Sequence, residues 1–244
     1  MKNILVTGVS RGMGKATAQL LVKEGYFVYG VYNTEKEEAE KLKKELKNLE
    51  IFQCDFSDRK NTKVLIKTLS KFHFSGIVNS TGVFIPINFN NFDYKEWDKV
   101  LEINLTTPLL LIEGLKNNLE EGASIVNISS TDGMIGSISG IAYSASKAAL
   151  INLTQSLANI LASKKIRTNV IAPGWIGDGM QASKELLKEA ASLNPLKRTG
   201  TYEEIAQVVS FLLSDKASYI NGTTITVDGG DESTNYILRK ESEM

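Results

Sequence analysis

The sequence predicts an α/β fold, a doubly wound and mostly parallel sheet with helices on both faces. Three observations lead there. Seven short apolar runs recur along the 244 residues, and the segments between them carry apolar residues at three- and four-residue steps. No linker rich in proline, serine or glycine divides the chain, and its prolines (Pro86, Pro108, Pro173, Pro195) are scattered. Strands alternating with helices at this pace need right-handed crossovers, which give a parallel sheet buried on both sides.

The elements follow in order. Strands are expected at Asn3 to Val6, Phe27 to Val31, Ile51 to Gln53, Gly76 to Asn79, Ser124 to Ile128, Arg167 to Ile171 and Thr224 to Val227. Helical spacing marks Gly14 to Glu24, Lys36 to Lys47, Asn61 to Phe72, Tyr94 to Leu119, Tyr143 to Ser163 and Tyr202 to Leu213. The charged run Glu35 to Lys47 reads as the solvated face of one helix, with Leu42 and Leu46 turned inward. Residues 1–230 read as one domain with a lid at about 175–195, followed by a polar tail at 231–244.

Composition removes whole classes of function. With 28 basic and 28 acidic side chains the chain has no net charge and no basic footprint for DNA or RNA. One cysteine and one histidine exclude an internal disulfide and a cysteine-rich zinc site, and a nucleophilic dyad would depend on His73 alone. No metal is expected. The first residues run directly into a strand without a leader pattern, and no apolar run is long enough to span a membrane. The expectation is a cytoplasmic protein.

The first strand ends in Thr7-Gly8-Val9-Ser10-Arg11-Gly12-Met13-Gly14 and a helical pattern begins at once. Glycines let such a turn approach a diphosphate closely, and the amides and dipole of the helix N-terminus favour the anion. The spacing Gly-x-x-x-Gly-x-Gly resembles the short-chain dehydrogenase/reductase family, and the resemblance extends over residues 2 to about 230. It implies a Rossmann-type sheet in the order 3-2-1-4-5-6-7, a nicotinamide cofactor bound along Gly8, Ser10, Arg11, Gly12, Met13 and Gly14, and a homotetramer or dimer. Strand two ends in Val31-Tyr32-Asn33-Thr34, without the carboxylate that anchors an NAD ribose. Arg11, with Asn33 and Thr34, is instead suited to a 2′-phosphate, so NADP(H) is expected. Asp55 and Phe56 resemble the family's adenine contacts; Asp58 looks the better helix cap. Asn79 and Gly82 match the family's turn after strand four, whereas Ser80 and Thr81 depart from it.

Tyr143 and Lys147 lie four apart on one helical face, where an adjacent ammonium, together with oxidised nicotinamide, is expected to pull the phenol's pKa down toward use as an acid. Strand five delivers Ser129 and Ser130 to the carboxyl edge of the sheet. By resemblance Ser130 is the catalytic serine, Asn104 kinks a helix and holds a relay water, and Lys147 and Tyr143 meet the nicotinamide ribose. Pro173, Gly174 and Ile176 resemble the segment that lies along the nicotinamide; Asp178, between Gly177 and Gly179, stands where many relatives carry threonine. Trp175 and Met180 are candidates to line the substrate.

The expected activity is reduction of a ketone to a secondary alcohol, and the whole pattern is most similar to 3-oxoacyl-[acyl-carrier-protein] reductases of fatty acid biosynthesis. A sugar, a polyketide or another free ketone stays open as substrate. Asn117, Asn118, Glu120 and Glu121 stand where a carrier-docking surface would be basic, with Lys164 and Lys165 as the nearby compensation. A dinucleotide-binding sensor without turnover is the other class of answer, and a complete set of Asn104, Ser130, Tyr143 and Lys147 speaks against it.

Overall fold

Apolar, β-branched runs become strands because both faces of a parallel sheet are buried. The computed structural model, which describes residues 1–180 and 182–233, places them at β1 (Asn3–Thr7), β2 (Phe27–Tyr32), β3 (Leu49–Gln53), β4 (Phe74–Asn79), β5 (Leu119–Ile128), β6 (Arg167–Pro173) and β7 (Thr224–Val227). They pair in parallel in the order β3-β2-β1-β4-β5-β6-β7, as expected. Chain direction across the sheet reverses at β1 and β4. That switch point opens a crevice at the carboxyl ends of the strands, where ligands of such sheets bind.

The helices are α1 (Gly12–Lys23), α2 (Lys36–Glu45), α3 (Arg59–Leu69), α4 (Tyr94–Leu101), α5 (Thr107–Leu115), α6 (Ile141–Ile160), α7 (Lys184–Leu193) and α8 (Tyr202–Leu213). Strand side chains alternate between two cores. Ile4 and Val6 meet Ala18 and Leu21 of α1 and Val209 and Leu212 of α8 on one face. Leu5 meets Leu65 and Leu69 of α3, Leu111 and Leu115 of α5 and Leu157 of α6 on the other. Each fully buried aliphatic side chain contributes about 1.5–3 kcal/mol. Leu42 of α2 is buried in the first core and Leu46 packs partly against it.

Four elements differ from the sequence reading. The helix expected over Tyr94 to Leu119 is interrupted by a π-helical turn at Glu102–Thr106, and Pro108, lacking an N–H, opens α5 afresh. Leu119 then belongs to β5, paired with Phe74, while the register shifts between Phe74 and Gly76. The charged Glu120 and Glu121 before a positive-φ Gly122 hid that strand start. Helix α1 begins at Gly12 rather than Gly14, straight after an extended Arg11. The lid holds a helix the periodicity did not yield, α7, whose N-cap Ser183 accepts from the Leu186 N–H at 3.1 Å. Beyond β7 the Glu232 N–H donates to Asp228 at 2.8 Å; the rest of the expected tail, 234–244, and Gln181 of the lid lie outside the described residues.

Candidate active site

At the end of β1 the Thr7 hydroxyl accepts from the backbone N–H groups of Ser80 and Thr81, both at 3.0 Å, and so fastens the first turn to the one after β4. Gly8 takes φ +78° and donates to the Val31 carbonyl at 2.8 Å. A methyl group on Gly14 would stand 2.6 Å from the Gly8 carbonyl carbon and 3.0 Å from the Thr7 oxygen, so helix and turn touch backbone to backbone. No side chain caps the N-terminus of α1, which leaves its first N–H groups facing outward. This cradle fits a dinucleotide diphosphate. Beside it runs a cleft of about 420 Å³ lined by Ser10, Arg11, Gly12, Lys15, Glu35 and Tyr202 among others.

The sequence reading missed two residues of that cleft. Strand two does end without a carboxylate, yet Glu35, one residue past Thr34, pairs with Arg11 at 3.2 Å, and Glu38 pairs with Lys15 at 3.1 Å. The run from Glu35 is therefore more than a solvated face: its first turn lies against α1. The signal was present as two glutamates three apart at the start of a helix. Asn33 donates to Asp55 at 3.5 Å, and Thr34 is exposed. Asp58 caps α3 by accepting from the Lys60 N–H at 2.8 Å. Asp55 accepts from the Ser57 N–H at 2.9 Å, and that bond holds its carboxyl below the usual range. Phe56 is buried. Asn79 turns its amide to Asn127 at 2.8 Å, inside the sheet, and its buried Oδ1 has no partner among the described residues. A methyl group on Gly82 would stand 3.3 Å from the Lys147 ammonium.

Helix α6 carries Tyr143 and Lys147 into the crevice. Lys147 Nζ donates to the Ile128 carbonyl at 2.7 Å and lies 5.5 Å from the centroid of the Tyr143 ring. Ser130 follows β5 and accepts from the Asp132 N–H at 3.1 Å, whereas the Ser129 hydroxyl donates to the Lys147 carbonyl at 2.9 Å. Asn104 sits in the π-helical turn, fully buried, bonded both ways to the backbone of Val83 at 2.8 and 2.9 Å and to Ser146 at 3.1 Å.

Burial dominates the electrostatics of the pair. Burial pushes the Tyr143 phenol up to about 12; the Ser130 hydroxyl pulls against this and nearby Asp132 adds to it. Burial brings Lys147 down to about 8. Desolvation is the largest cause for each group. At neutral pH the phenol therefore keeps its proton, the form needed to donate to an oxyanion. Asp132 is itself raised by burial, and only its place two residues after Ser130 hinted at it.

The segment after β6 pairs with Gly200: the Gly177 N–H donates to Gly200 at 2.8 Å and the Gly200 N–H to Trp175 at 2.9 Å. That pattern turns the N–H of Ile176 away from Gly200. Pro173 is buried, and Gly174 lies so near Asp228 that a methyl there would stand 2.8 Å from its Cβ. Trp175 is partly exposed. From the lid, Met180 brings its sulfur to 4.0 Å from the Tyr143 hydroxyl, and Phe84 sets its ring edge-on to Tyr143 at 5.4 Å between centroids. Phe84 carried no motif in the sequence. The two surround the phenol with apolar atoms.

The residues weighed for carrier docking sit elsewhere. Glu120 and Glu121 begin β5 and Ser130 follows its end, roughly 30 Å away at ~3.3 Å per residue. Lys165 pairs with Glu121 at 2.6 Å, and Lys164 donates to the Lys116 carbonyl at 3.1 Å. Among the described residues no helix is long and apolar enough to cross a membrane, and no three His, Cys, Asp or Glu side chains gather as a metal site.

Residues 8–231 match the family described as enoyl-(acyl carrier protein) reductase. The 3-oxoacyl-[acyl-carrier-protein] reductase FabG of Staphylococcus aureus (strain Mu50) is 37% identical over 239 residues, spanning 94% of this chain and 97% of the relative. Among solved structures, a short chain dehydrogenase family protein from Francisella tularensis superposes with a TM-score of 0.84 at 31% identity, over 96% of this chain and 100% of that one. A blue fluorescent protein from a metagenomic library, in complex with NADPH, reaches 0.88 at 27% identity over 94% and 97% of the two chains. Because these matches run from the glycine-rich turn through β7, and not through one motif alone, the chain belongs to the short-chain dehydrogenase/reductase family of oxidoreductases.

Proposed function

We propose that this protein reduces a ketone to a secondary alcohol with NADPH, and that the ketone is the β-keto group of an acyl thioester. The observation that carries the reading is the convergence of Tyr143 and Lys147 on one face of α6, the ammonium 5.5 Å from the ring centroid, with Ser130 just after β5 and Phe84 and Met180 against the phenol. When bound, the cofactor supplies hydride from its nicotinamide to the carbonyl carbon. Ser130 donates to the carbonyl oxygen and holds it where charge grows. Tyr143 gives its proton to that oxygen as it becomes an alcohol. Lys147 holds the ribose hydroxyls, and Asn104 ties the π-turn to Ser146 of α6. The apolar surroundings exclude water that would compete for the proton.

Gly8, Ser10, Arg11, Gly12, Met13 and Gly14 take the phosphate end of the dinucleotide in this reading. Asn33, Thr34, Asp55, Phe56, Asn79 and Gly82 follow its adenosine and ribose, and Pro173, Gly174 and Ile176 its nicotinamide. NADP(H) is favoured by the NADPH carried by a neighbour of 27% identity and by Arg11 and Lys15, which a 2′-phosphate would take over from Glu35 and Glu38. The thioester is favoured by the 37% identity to a 3-oxoacyl-[acyl-carrier-protein] reductase. A free uncharged ketone is the second reading, since Lys165 is paired with Glu121 and Lys164 is bonded to a carbonyl, which leaves little basic surface there for an acidic carrier. A homotetramer or dimer in the cytoplasm completes the proposal.

The test follows NADPH absorbance with acetoacetyl thioester, a panel of uncharged ketones, and NADH as control. Thioester turnover should exceed ketone turnover at least tenfold in kcat/KM; turnover confined to free ketones would replace the thioester with the second reading. Tyr143→Phe should lower kcat by about 10²–10⁴-fold while leaving NADPH affinity within about twofold. Wild-type turnover in that variant removes Tyr143 as the acid.

A further inference from the structure

We infer that Asp178 and Tyr202 form a clamp that ties the hinge of the lid to the dinucleotide turn and sets how tightly the cofactor diphosphate is held. The inference rests on the dinucleotide reading above and concerns two residues outside its catalytic set. Tyr202 is the first residue of α8, fixed in place by a capping box between Thr201 and Glu204 and by the two hydrogen bonds of Arg198 to Glu204 at 2.9 and 2.7 Å. Its ring reaches two glycines from different parts of the site. On one side is Gly12 of the phosphate turn, where a methyl group would meet the ring edge at 3.6 Å. On the other is Gly177, where any side chain would collide with the ring. Its hydroxyl donates to the Asp178 carboxylate.

Asp178 lies between Gly177 at φ +59° and Gly179 at φ +67°, the backbone of a hinge at the base of the lid. One aromatic side chain thus joins the turn that takes the diphosphate to the segment on which the lid swings. The charge of Asp178 gives the contact its effect. A carboxylate near an incoming diphosphate repels it, and the Tyr202 hydroxyl holds that carboxylate on the α8 side. Without this donor the carboxylate is free to turn toward the cleft, and the hinge keeps only its backbone bonds to Gly200 ahead of α8. Both residues act as positioning residues, through the hinge and the turn, and not on the reacting atoms.

The test is a double-mutant cycle on NADPH affinity, read by fluorescence titration, together with hydrogen exchange of residues 175–195 in the dinucleotide-free protein. Asp178→Asn should tighten NADPH binding about tenfold, since one like charge goes. Tyr202→Phe should weaken it about three- to tenfold in the native background and by less than twofold in the Asp178→Asn background. Tyr202→Phe should also speed lid exchange several-fold with no change in the exchange of α1. Equal effects of Tyr202→Phe in both backgrounds, or unchanged affinity in Asp178→Asn, overturns the proposal. If native protein binds neither NADPH nor NADH, the dinucleotide reading fails and the diphosphate half of the clamp with it. Lid exchange then decides the tie between hinge and α8 by itself, and an unchanged rate in Tyr202→Phe overturns that half too.

Discussion

The sulfur of Met180 lies 4.0 Å from the hydroxyl of Tyr143, which sets an apolar, polarizable atom over the phenol. A ketone that reaches this phenol, as proposed, would displace a thioether and not a charged or strongly hydrated group. Met180→Ala should lower kcat/KM for a short apolar ketone about three- to tenfold, because the displaced side chain would otherwise pack against the bound ketone, at about 0.8 kcal/mol per buried methylene. Bulky ketones should gain relative to short ones as the space opens. Steady-state kinetics on a size series checks both, and a uniform loss across the series would show that Met180 only steadies the lid.

The sheet was legible because its runs are apolar on both faces and punctuated by glycine turns at fixed places; Thr7 through Gly14 alone located the first crossover. The break at Glu102–Thr106 was not, since a π-turn keeps the apolar spacing of a helix through Ile103 while it shifts the register of Asn104. Tyr143, Lys147 and Ser130 were placed by spacing, yet their protonation depends on burial from Phe84, Met180 and the strand ends, which lie far away in sequence. Glu35 escaped for the same reason: whether an acidic residue faces water or Arg11 is decided by how α2 sits on α1.

Burial makes the Lys147 ammonium easier to deprotonate than that of an exposed lysine. Its ammonium is desolvated, with a pKa near 8, so the charged form dominates below that value and is lost above it. If the ammonium holds the ribose, the NADPH dissociation constant is flat at pH 6–7 and rises roughly fivefold between pH 8 and 9. Folding stability responds with the opposite sign. The unfolded chain binds the Lys147 proton up to the ordinary value of 10.5, so between about 8 and 10 this group favours the folded state more as pH rises. NADPH titrations across pH 6–9.5 test the binding half, and Lys147→Met should remove the pH limb while binding weakly throughout. Denaturant melts of native and Lys147→Met proteins over pH 7–10 test the other half.

Gly14 shows how a backbone contact serves binding. A methyl group there meets the Gly8 carbonyl carbon at 2.6 Å and the Thr7 oxygen at 3.0 Å, and these atoms belong to a turn already fixed by the Gly8 to Val31 bond. Helix propensity alone would make Gly14→Ala stabilising by about 1 kcal/mol. The clash outweighs it, because backbone cannot rotate aside as a side chain does, and overpacking of this kind costs about 1–3 kcal/mol. We expect Gly14→Ala to lower the stability of the protein and to weaken NADPH binding more than tenfold, since α1 must move off the turn that presents its amides. Gly25 provides the contrast: it also resists substitution, at φ +90°, but nothing lies within 4 Å of a methyl group there. Gly25→Ala should therefore lose about 1–2 kcal/mol of stability through backbone strain while binding NADPH as the native protein does. Thermal melts and NADPH titrations of both variants separate the two effects; comparable loss of affinity in Gly25→Ala would mean that general destabilisation, and not the geometry of the turn, governs binding.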